Sequence, residues 1–284
     1  MKHDSYFIFA NPLKPETTEA AGQLAIGLIK QGADVVLDTW LHEQLRIGDG
    51  MDIGEIASPM TAIISLGGDG TLLRTVPAGA RNGIPVLGIN MGHIGFLMEA
   101  NFDILNDVPD KLMQHRYFIE ERMMLKASIA CGDTYLVMND LALVRGQNPS
   151  SIRVRATADD ELIFTVHGDG VLVSTPTGTT GYSLSAGGPV ISPSLECVAV
   201  IPVCSHVMHH RPMVLPATQQ LTLTMENPCS RTNQLIIDGQ ISLPVQGSIT
   251  IHIEKAEERA RFIRFSEHHF LSRLRSKQLE WSAE

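Results

Sequence analysis

The run Ser65-Leu66-Gly67-Gly68-Asp69-Gly70-Thr71 constrains this chain most, because it follows directly on the apolar stretch Thr61-Ala62-Ile63-Ile64. An apolar run that ends in glycines reads as a strand feeding a helix. Gly67, Gly68 and Gly70 let backbone N–H groups approach a polyphosphate, and a helix starting near Thr71 adds its positive end. A carboxylate in such a loop repels the same phosphate. Asp69 makes sense there if it takes a proton from an attacking hydroxyl or works through a divalent cation, so the loop points to transfer and not to binding alone. The plainer alternative is a Gly/Asp turn between a strand and a helix.

Around this loop the first hundred residues alternate strand-like and helical patterns. Tyr6 to Ala10 precedes a helix from Glu16 to Gln31, Ala33 to Asp38 is again strand-like, and a helix from Thr71 to Arg81 leads to a strand at Pro85 to Ile89. Such alternation predicts a parallel sheet, whose ligands bind outside the carboxyl ends of the strands, where Asp69 and Asn90 fall. Near Arg116 the rhythm changes. Met124 to Ala130, Thr134 to Met138, Ile152 to Ala156, Ile163 to Val166, Leu221 to Met225 and Ser248 to Ile253 follow as strand after strand, which predicts an all-β second domain. The end of the chain reads as a strand, Ala260 to Phe265, then a helix from Glu267 to Leu279 that returns to the first domain. The expected division is 1–115, with 256–284 rejoining it, and 116–255.

Composition narrows the function classes. The 284 residues carry 22 Lys and Arg against 31 Asp and Glu, a formal charge of −9, with no basic block to neutralise a row of phosphates; nucleic acid is not an expected partner. Cys131, Cys197, Cys204 and Cys229 lack any CxxC spacing, which fits a reducing cytosol better than a zinc knuckle or disulfide framework. The start of the chain is too short for a signal h-region and no run nears the roughly 18 apolar residues of a membrane helix, so a cytoplasmic protein without membrane contact is expected.

Further constellations follow. Val166 to Pro189 is so rich in glycine and hydroxyls that it reads as a ligand loop, with Thr and Ser for ribose hydroxyls and phosphate oxygens and Tyr182 as a face on which a base stacks; a turn-rich connection is the alternative. Two more Asp-Gly pairs, Asp169-Gly170 and Asp238-Gly239, also adjoin apolar runs, and three such pairs are able to line one cleft. Asn139-Asp140 offers an amide beside a carboxylate, a pair suited to a base edge or ribose hydroxyls. Met91 to Leu97 carries glycines where backbone approaches a ligand, with Phe96 and Leu97 read as core. His206, His209 and His210 match no zincin spacing and read as structural, and His268 and His269 as solvent-facing or at a subunit contact. Neither GxxxxGK[ST] nor a GxGxxG with its ribose-binding acid occurs, which counts against a Walker ATPase and an ordinary dehydrogenase.

Gly67 to Thr71, Gly88 to Leu97, Asn139-Asp140, Asp169-Gly170 and the long block from Thr175-Pro176-Thr177-Gly178 to Gly187-Gly188-Pro189 together resemble the NAD kinases, in order and spacing across nearly the whole chain. GGDG alone is shared with diacylglycerol, sphingosine and 6-phosphofructokinases; the second block is the discriminating one. The resemblance implies a Rossmann-like α/β N-terminal domain and an all-β, sandwich-like C-terminal domain. It implies phosphorylation of the 2′-hydroxyl of the adenosine ribose of NAD by ATP or polyphosphate, with a divalent cation such as Mg²⁺, in a homodimer or homotetramer. Carried over by position, Asp69 is the base, with Gly70 and Arg74 beside it and Gly67, Gly68, Gly70 and Thr71 as the donor loop. Asn139, Asp140, His167, Asp169, Thr180, Gly181, Tyr182, Ser183, Ser185 and Gln240 hold NAD. The chain departs from the family in having Asp140 where the family has Glu, Thr179-Thr180-Gly181-Tyr182 for Ser-Thr-Ala-Tyr, and Ser150 where arginine is common. A lipid kinase of the diacylglycerol or sphingosine type and a non-catalytic NAD(P) sensor are the alternatives. The first needs an acyl pocket or a membrane-facing surface, and the second has no use for a base beside a phosphate.

Overall fold

The computed structural model describes residues 4–57, 60–92, 95–129, 132–147, 150–226, 232–266 and 270–283. The chain divides into two compact units, Met1–Glu121 with Arg259–Glu284, and Arg122–Glu258.

The first unit is an α/β layer structure. In chain order it holds β1 (Ser5–Ala10), α1 (Pro15–Lys30), β2 (Asp34–Asp38), α2 (Thr39–Leu45), β3 (Asp49–Met51), β4 (Ala62–Gly67), α3 (Asp69–Asn82), β5 (Val86–Asn90), β6 (Ala100–Asn101) and α4 (Val108–Met113). The strands lie in the order β5-β4-β1-β2-β3, all parallel, with β6 parallel on β5. A parallel sheet covered on both faces needs continuous apolar strands. Tyr6 to Ala10, Ala62 to Gly67 and Val86 to Asn90 are accordingly buried along their whole length. The helix α1 opens on Pro15, whose missing N–H costs nothing there, and buries Thr17, Ala20, Ala21, Leu24, Ala25 and Leu28, one stripe of a 3.6-residue period.

The rest of the chain is β7 (Phe118–Ile129), β8 (Thr134–Val137), β9 (Asp140–Val144), β10 (Ile152–Ala158), β11 (Glu161–Gly168), β12 (Gly170–Ser174), α5 (Tyr182–Ser185), β13 (Cys197–Val203), β14 (Met213–Pro216), β15 (Leu221–Met225), β16 (Thr232–Ile237), β17 (Ile241–Gln246), β18 (Ile249–Arg264) and α6 (Phe270–Ala283). The end of β18 and all of α6 belong to the first unit, where Phe262 pairs in parallel with Val86. Within the second unit, β10 pairs antiparallel with β11 and β15, and β15 with β18. A separate antiparallel sheet runs β14-β13-β12-β9-β16-β17. Both contribute to one core that includes Val154, Ala156, Leu141, Leu143, Val171, Val173, Leu223 and Ile251, as a sandwich does. The alternation is plain in β10, where Val154, Ala156 and Ala158 are buried and Arg153 and Arg155 exposed.

Three expectations need correction. The helix after the glycine loop begins at Asp69, not Thr71, with Gly68 as its N-cap. The stretches expected as separate strands at 248–253 and 260–265 are one strand, β18; in its charged middle, Glu254 to Arg259, Ala256 is buried, Glu257 exposed and the other four half-buried, which hides the strand period. Finally, Val166 to Ser174 is not loop: β11 continues to Gly168, and β12 is central in its sheet. Its Leu172 belongs to a second apolar cluster with Ala199 and Ile201 of the neighbouring strand and with Ile191 and Ala186.

Candidate active site

In the first unit, Gly68 O accepts from Thr71 N at 2.9 Å and Leu72 N at 3.1 Å, which starts α3 and leaves Asp69 in its first turn. A Cβ on Gly67 would come within 2.8 Å of the Thr71 Cβ, so this close crossing needs glycine. The Asp69 carboxylate does not cap its own helix. Its Oδ2 accepts from Phe96 N at 2.8 Å and its Oδ1 from Leu97 N at 3.2 Å. Gly95 is glycine for the same reason: a Cβ there would lie 2.6 Å from Asp69 Oδ2 and closer still to Oδ1 and Cγ. Burial pushes the Asp69 carboxyl above the usual carboxylate range, against the two amides and the cations Arg273 and Lys277, which pull it down. Gly70 is exposed at the head of α3. Arg74 is exposed further along the helix, its guanidinium 5.1 Å from the Phe9 ring centre. At the end of β5, Asn90 Nδ2 donates to Gly92 O at 2.5 Å, and a cavity of about 480 Å³ is lined by Asn90, Met91, Gly92, Asn101, Phe102 and the acids Glu16 and Asp103. Leu97 is buried, as a core residue is, but its amide has this second use. His93 and Ile94 lie outside the described residues.

In the second unit the structure brings Asn139-Asp140, the turn after β12 and Asp238 together. Thr175 N donates to Asn139 O at 2.9 Å, and Thr175 Oγ1 donates to Met138 O at 2.7 Å while accepting from Gly178 N at 3.2 Å. Gly178 packs so close that a Cβ would lie 2.7 Å from Asn139 Cα and nearer its carbonyl. Asp238, 8% exposed, spends its carboxylate on backbone: Oδ2 accepts from Met138 N at 2.9 Å, and Oδ1 from Asn139 N at 2.6 Å and Asp140 N at 3.0 Å. Together with Gly239 it forms the turn closed by Gln240 N to Ile237 O at 2.9 Å, with φ of 51° and 64° at the two residues, the left-handed pair that Asp-Gly accepts readily. The Asp238-Gly239 pair therefore supports the site from behind and does not line it. Asp140 is 6% exposed; burial and the Asp238 carboxylate push it up to about 7. Burial raises Asp238 to about 6, against its three amide donors.

The remaining expected residues are spread over this unit. Tyr182 is 43% exposed and presents its ring, while Thr180 is half-buried and Gly181 and Ser185 are exposed. Ser183 is buried, and among the described residues its Oγ and Asn139 Oδ1 have no hydrogen-bond partner, which is unusual for buried polar atoms. Asp169 is held by Arg145 Nε at 2.6 Å, a partner the sequence did not reveal; His167 and Gln240 are exposed. A larger cavity, about 510 Å³, lies on the outer face of β10, β11, β15 and β18 and touches none of the expected residues.

Among the described residues no group of three or more His, Cys, Asp or Glu is arranged to hold a metal ion. These residues supply no closed cage, and a cation such as Mg²⁺ ordinarily binds through one or two carboxylates and substrate phosphates. His210 is engaged with Ser205 Oγ at 2.9 Å and stacks 5.3 Å from Phe164. Cys197 and Cys204 are free thiols, whereas Cys131, Cys229, His268 and His269 lie outside the described residues. Among the described residues no helix is long and apolar enough to cross a membrane.

Comparison with known proteins gives the family. Residues 7–117 match the ATP-NAD kinase N-terminal domain and residues 138–265 the ATP-NAD kinase C-terminal domain. An NAD kinase of Heliobacterium modesticaldum is 35% identical over 274 residues, covering 95% of this chain and 96% of the relative. One of Moorella thermoacetica is also 35% identical, covering 95% and 88%. In fold, the chain is similar to yeast NADH kinase complexed with NADH, with a TM-score of 0.89 at 21% identity over 99% of this chain and 89% of that one. It is similar also to an NAD kinase from Archaeoglobus fulgidus in complex with ATP, with a TM-score of 0.72 at 24% identity over 96% and 98%. Both halves match in order and the relatives align along nearly the whole length, so the chain belongs to the NAD kinase family and is a phosphotransferase.

Proposed function

We propose that the chain phosphorylates the 2′-hydroxyl of the adenosine ribose of NAD, with ATP or polyphosphate as donor, a divalent cation accompanying the donor, and Asp69 as general base. The observation that carries this reading is the Asp69 carboxylate, fixed by two backbone amides and partly desolvated at the head of α3, with a carboxyl held above the usual range. A carboxylate of raised pKa is the better proton acceptor. The hydroxyl proton passes to Asp69 as the ribose oxygen bonds to phosphorus and the donor's bridging oxygen departs with the electrons of the broken bond. Such a transfer needs positioning and charge neutralisation more than covalent work. Gly67, Gly68, Gly70 and Thr71 make up the donor side, the Thr71 amide being already spent on Gly68 O, and Arg74 is a cation on the same helix.

In the second unit, Asn139 and Asp140 grip the dinucleotide. Among the described residues Asn139 Oδ1 has no partner, and Asp140, raised to about 7, shares its time near neutral pH between the protonated and ionised forms, so the pair offers acceptors and, when Asp140 is protonated, a donor for ribose hydroxyls or a base edge. The shorter Asp140 is backed by Asp238. Tyr182 stacks on a base, Ser183 supplies an unpaired hydroxyl, and Thr180, Gly181, Ser185, His167, Asp169 and Gln240 complete the NAD-binding set. A homodimer or homotetramer in the cytoplasm is proposed on the resemblance and on the free thiols of Cys197 and Cys204, and light scattering on the purified protein tests the assembly. For the reaction, purified protein is given NAD, Mg²⁺ and either ATP or polyphosphate, with diacylglycerol as a competing acceptor. NADP formed with at least one donor is expected. Phosphorylated lipid without NADP would replace this reading by the lipid-kinase one.

A further inference from the structure

The C-terminal strand and helix have no part in the reaction as described so far, yet they hold the segment that holds the base. Asp69 rests on the amides of Phe96 and Leu97. The carbonyls of the same short strap are taken from the other side by two arginines. Arg273, on α6, donates through Nη1 to Phe96 O at 3.1 Å and to Met98 O at 2.5 Å. Arg264, fully buried at the end of β18, donates through Nη1 to Leu97 O at 2.9 Å. It is anchored in turn by Glu120 at 2.6 Å and Glu99 at 3.6 Å, and Glu99 accepts from Phe265 N at 2.8 Å. Three consecutive carbonyls, those of Phe96, Leu97 and Met98, are thus fixed by two guanidiniums, while the amides of Phe96 and Leu97 donate to the carboxylate.

We infer that Arg273 is a positioning residue for Asp69, fixing the Phe96–Met98 strap so that the carboxylate is held for proton transfer; this rests on the reading of Asp69 as the base. Both bonds leave one nitrogen, Nη1, whose N–H groups are held in the guanidinium plane, whereas the ammonium of a lysine is a rotatable point charge. Displacement by about 1 Å of a group that positions a reacting atom costs on the order of 100-fold in rate. Arg273 and Lys277 are also the cations that draw Asp69 toward its ionised form, whereas Glu99, Glu120 and Arg264 surround Arg273 itself.

The test compares the full-length protein with Arg273→Ala, Arg273→Lys, Asp69→Asn and, as a control, Arg275→Ala, an exposed arginine on the same helix. Turnover, KM for NAD, pH-rate profiles and thermal midpoints are read for each. Arg273→Ala is expected to lose about 10–100-fold in kcat with KM for NAD within about twofold. The acid limb of its kcat/KM profile moves to higher pH, because a cation near the base is gone. Arg273→Lys restores the acid limb and recovers part of kcat, and Arg275→Ala behaves as the parent. An unchanged kcat and acid limb in Arg273→Ala, or a loss of turnover shared equally by Arg275→Ala, overturns the inference. If Asp69→Asn is inactive while Arg273→Ala is normal, only the positioning role fails. If Asp69→Asn turns over normally, the base assignment fails and the positioning role with it.

Discussion

Gly178→Ala is the sharpest perturbation of the second unit. The added Cβ would sit 2.7 Å from Asn139 Cα and closer to its carbonyl carbon and oxygen, where comfortable separations are about 3.5–4.0 Å. Backbone cannot give way as a flexible side chain does, so the turn at 177–180 must retreat from Asn139 by about 1 Å. That retreat strains Thr175 N to Asn139 O at 2.9 Å and Gly178 N to Thr175 Oγ1 at 3.2 Å. Overpacking of this kind costs about 1–3 kcal/mol and each of the two hydrogen bonds, if lost, about 0.5–1.5 kcal/mol, so roughly 2–6 kcal/mol is expected in all. In urea denaturation the midpoint should fall by about 1 M or more, and titration with NAD should show affinity lower by about tenfold or more as Asn139 is displaced. Gly181→Ala is the contrast: its Cβ would meet Gly178 O at 3.3 Å and Asp140 Oδ2 at 3.8 Å, a fit needing a few tenths of an ångström and costing under about 1 kcal/mol. A Gly178→Ala protein with the parent's midpoint and NAD affinity would refute the close seating of this turn on Asn139.

Two further predictions concern the same unit. Asp140 and Asp238 both titrate above the ordinary carboxylate value, Asp140 to about 7 and Asp238 to about 6, so the folded state binds more protons than the unfolded state between about pH 4 and pH 7. Their contribution to stability is greatest below that window and declines as pH rises through it; Asp140→Asn should flatten the decline measured by denaturation at pH 5 and pH 8, and identical slopes in parent and variant would contradict the pairing. Tyr182→Ala should weaken NAD binding by about 1–3 kcal/mol if the half-exposed ring stacks on a base, and an unchanged dissociation constant would exclude the stacking.

Much of the first unit is legible because its strands are buried on both faces and its helices carry one apolar stripe. Tyr6 to Ala10 is a continuous apolar run, Ala62 to Leu66 is broken only by Ser65, and the spacing of Leu24 and Leu28 repeats the helical turn. The second unit is harder. β12 hides in a hydroxyl- and glycine-rich context, although Val171, Leu172 and Val173 are wholly buried; the apolar pattern of β18 is broken by the charges of Glu254, Lys255, Glu257, Glu258 and Arg259. In the candidate site the glycine loop is readable from local chemistry. Its support is not, since the amides that hold Asp69 come from 27 and 28 positions further on and the guanidinium behind them lies near the end of the chain. Gly95 is the one local sign, a glycine where the carboxylate leaves no room for a side chain. Asp238 misleads in the opposite direction: its Asp-Gly pair looks like part of a cleft and serves as a hairpin turn that clamps Asn139 and Asp140.

The most direct test of the account is single-turnover formation of NADP by Asp69→Asn beside the parent, with Mg²⁺ and the donor that works, and with NAD binding measured on both. The carboxamide keeps the shape and loses the ability to take the proton. The account predicts NAD affinity within a few-fold of the parent and a rate lower by roughly 10²–10⁴-fold. Near-parental turnover in the variant would contradict Asp69 as the base.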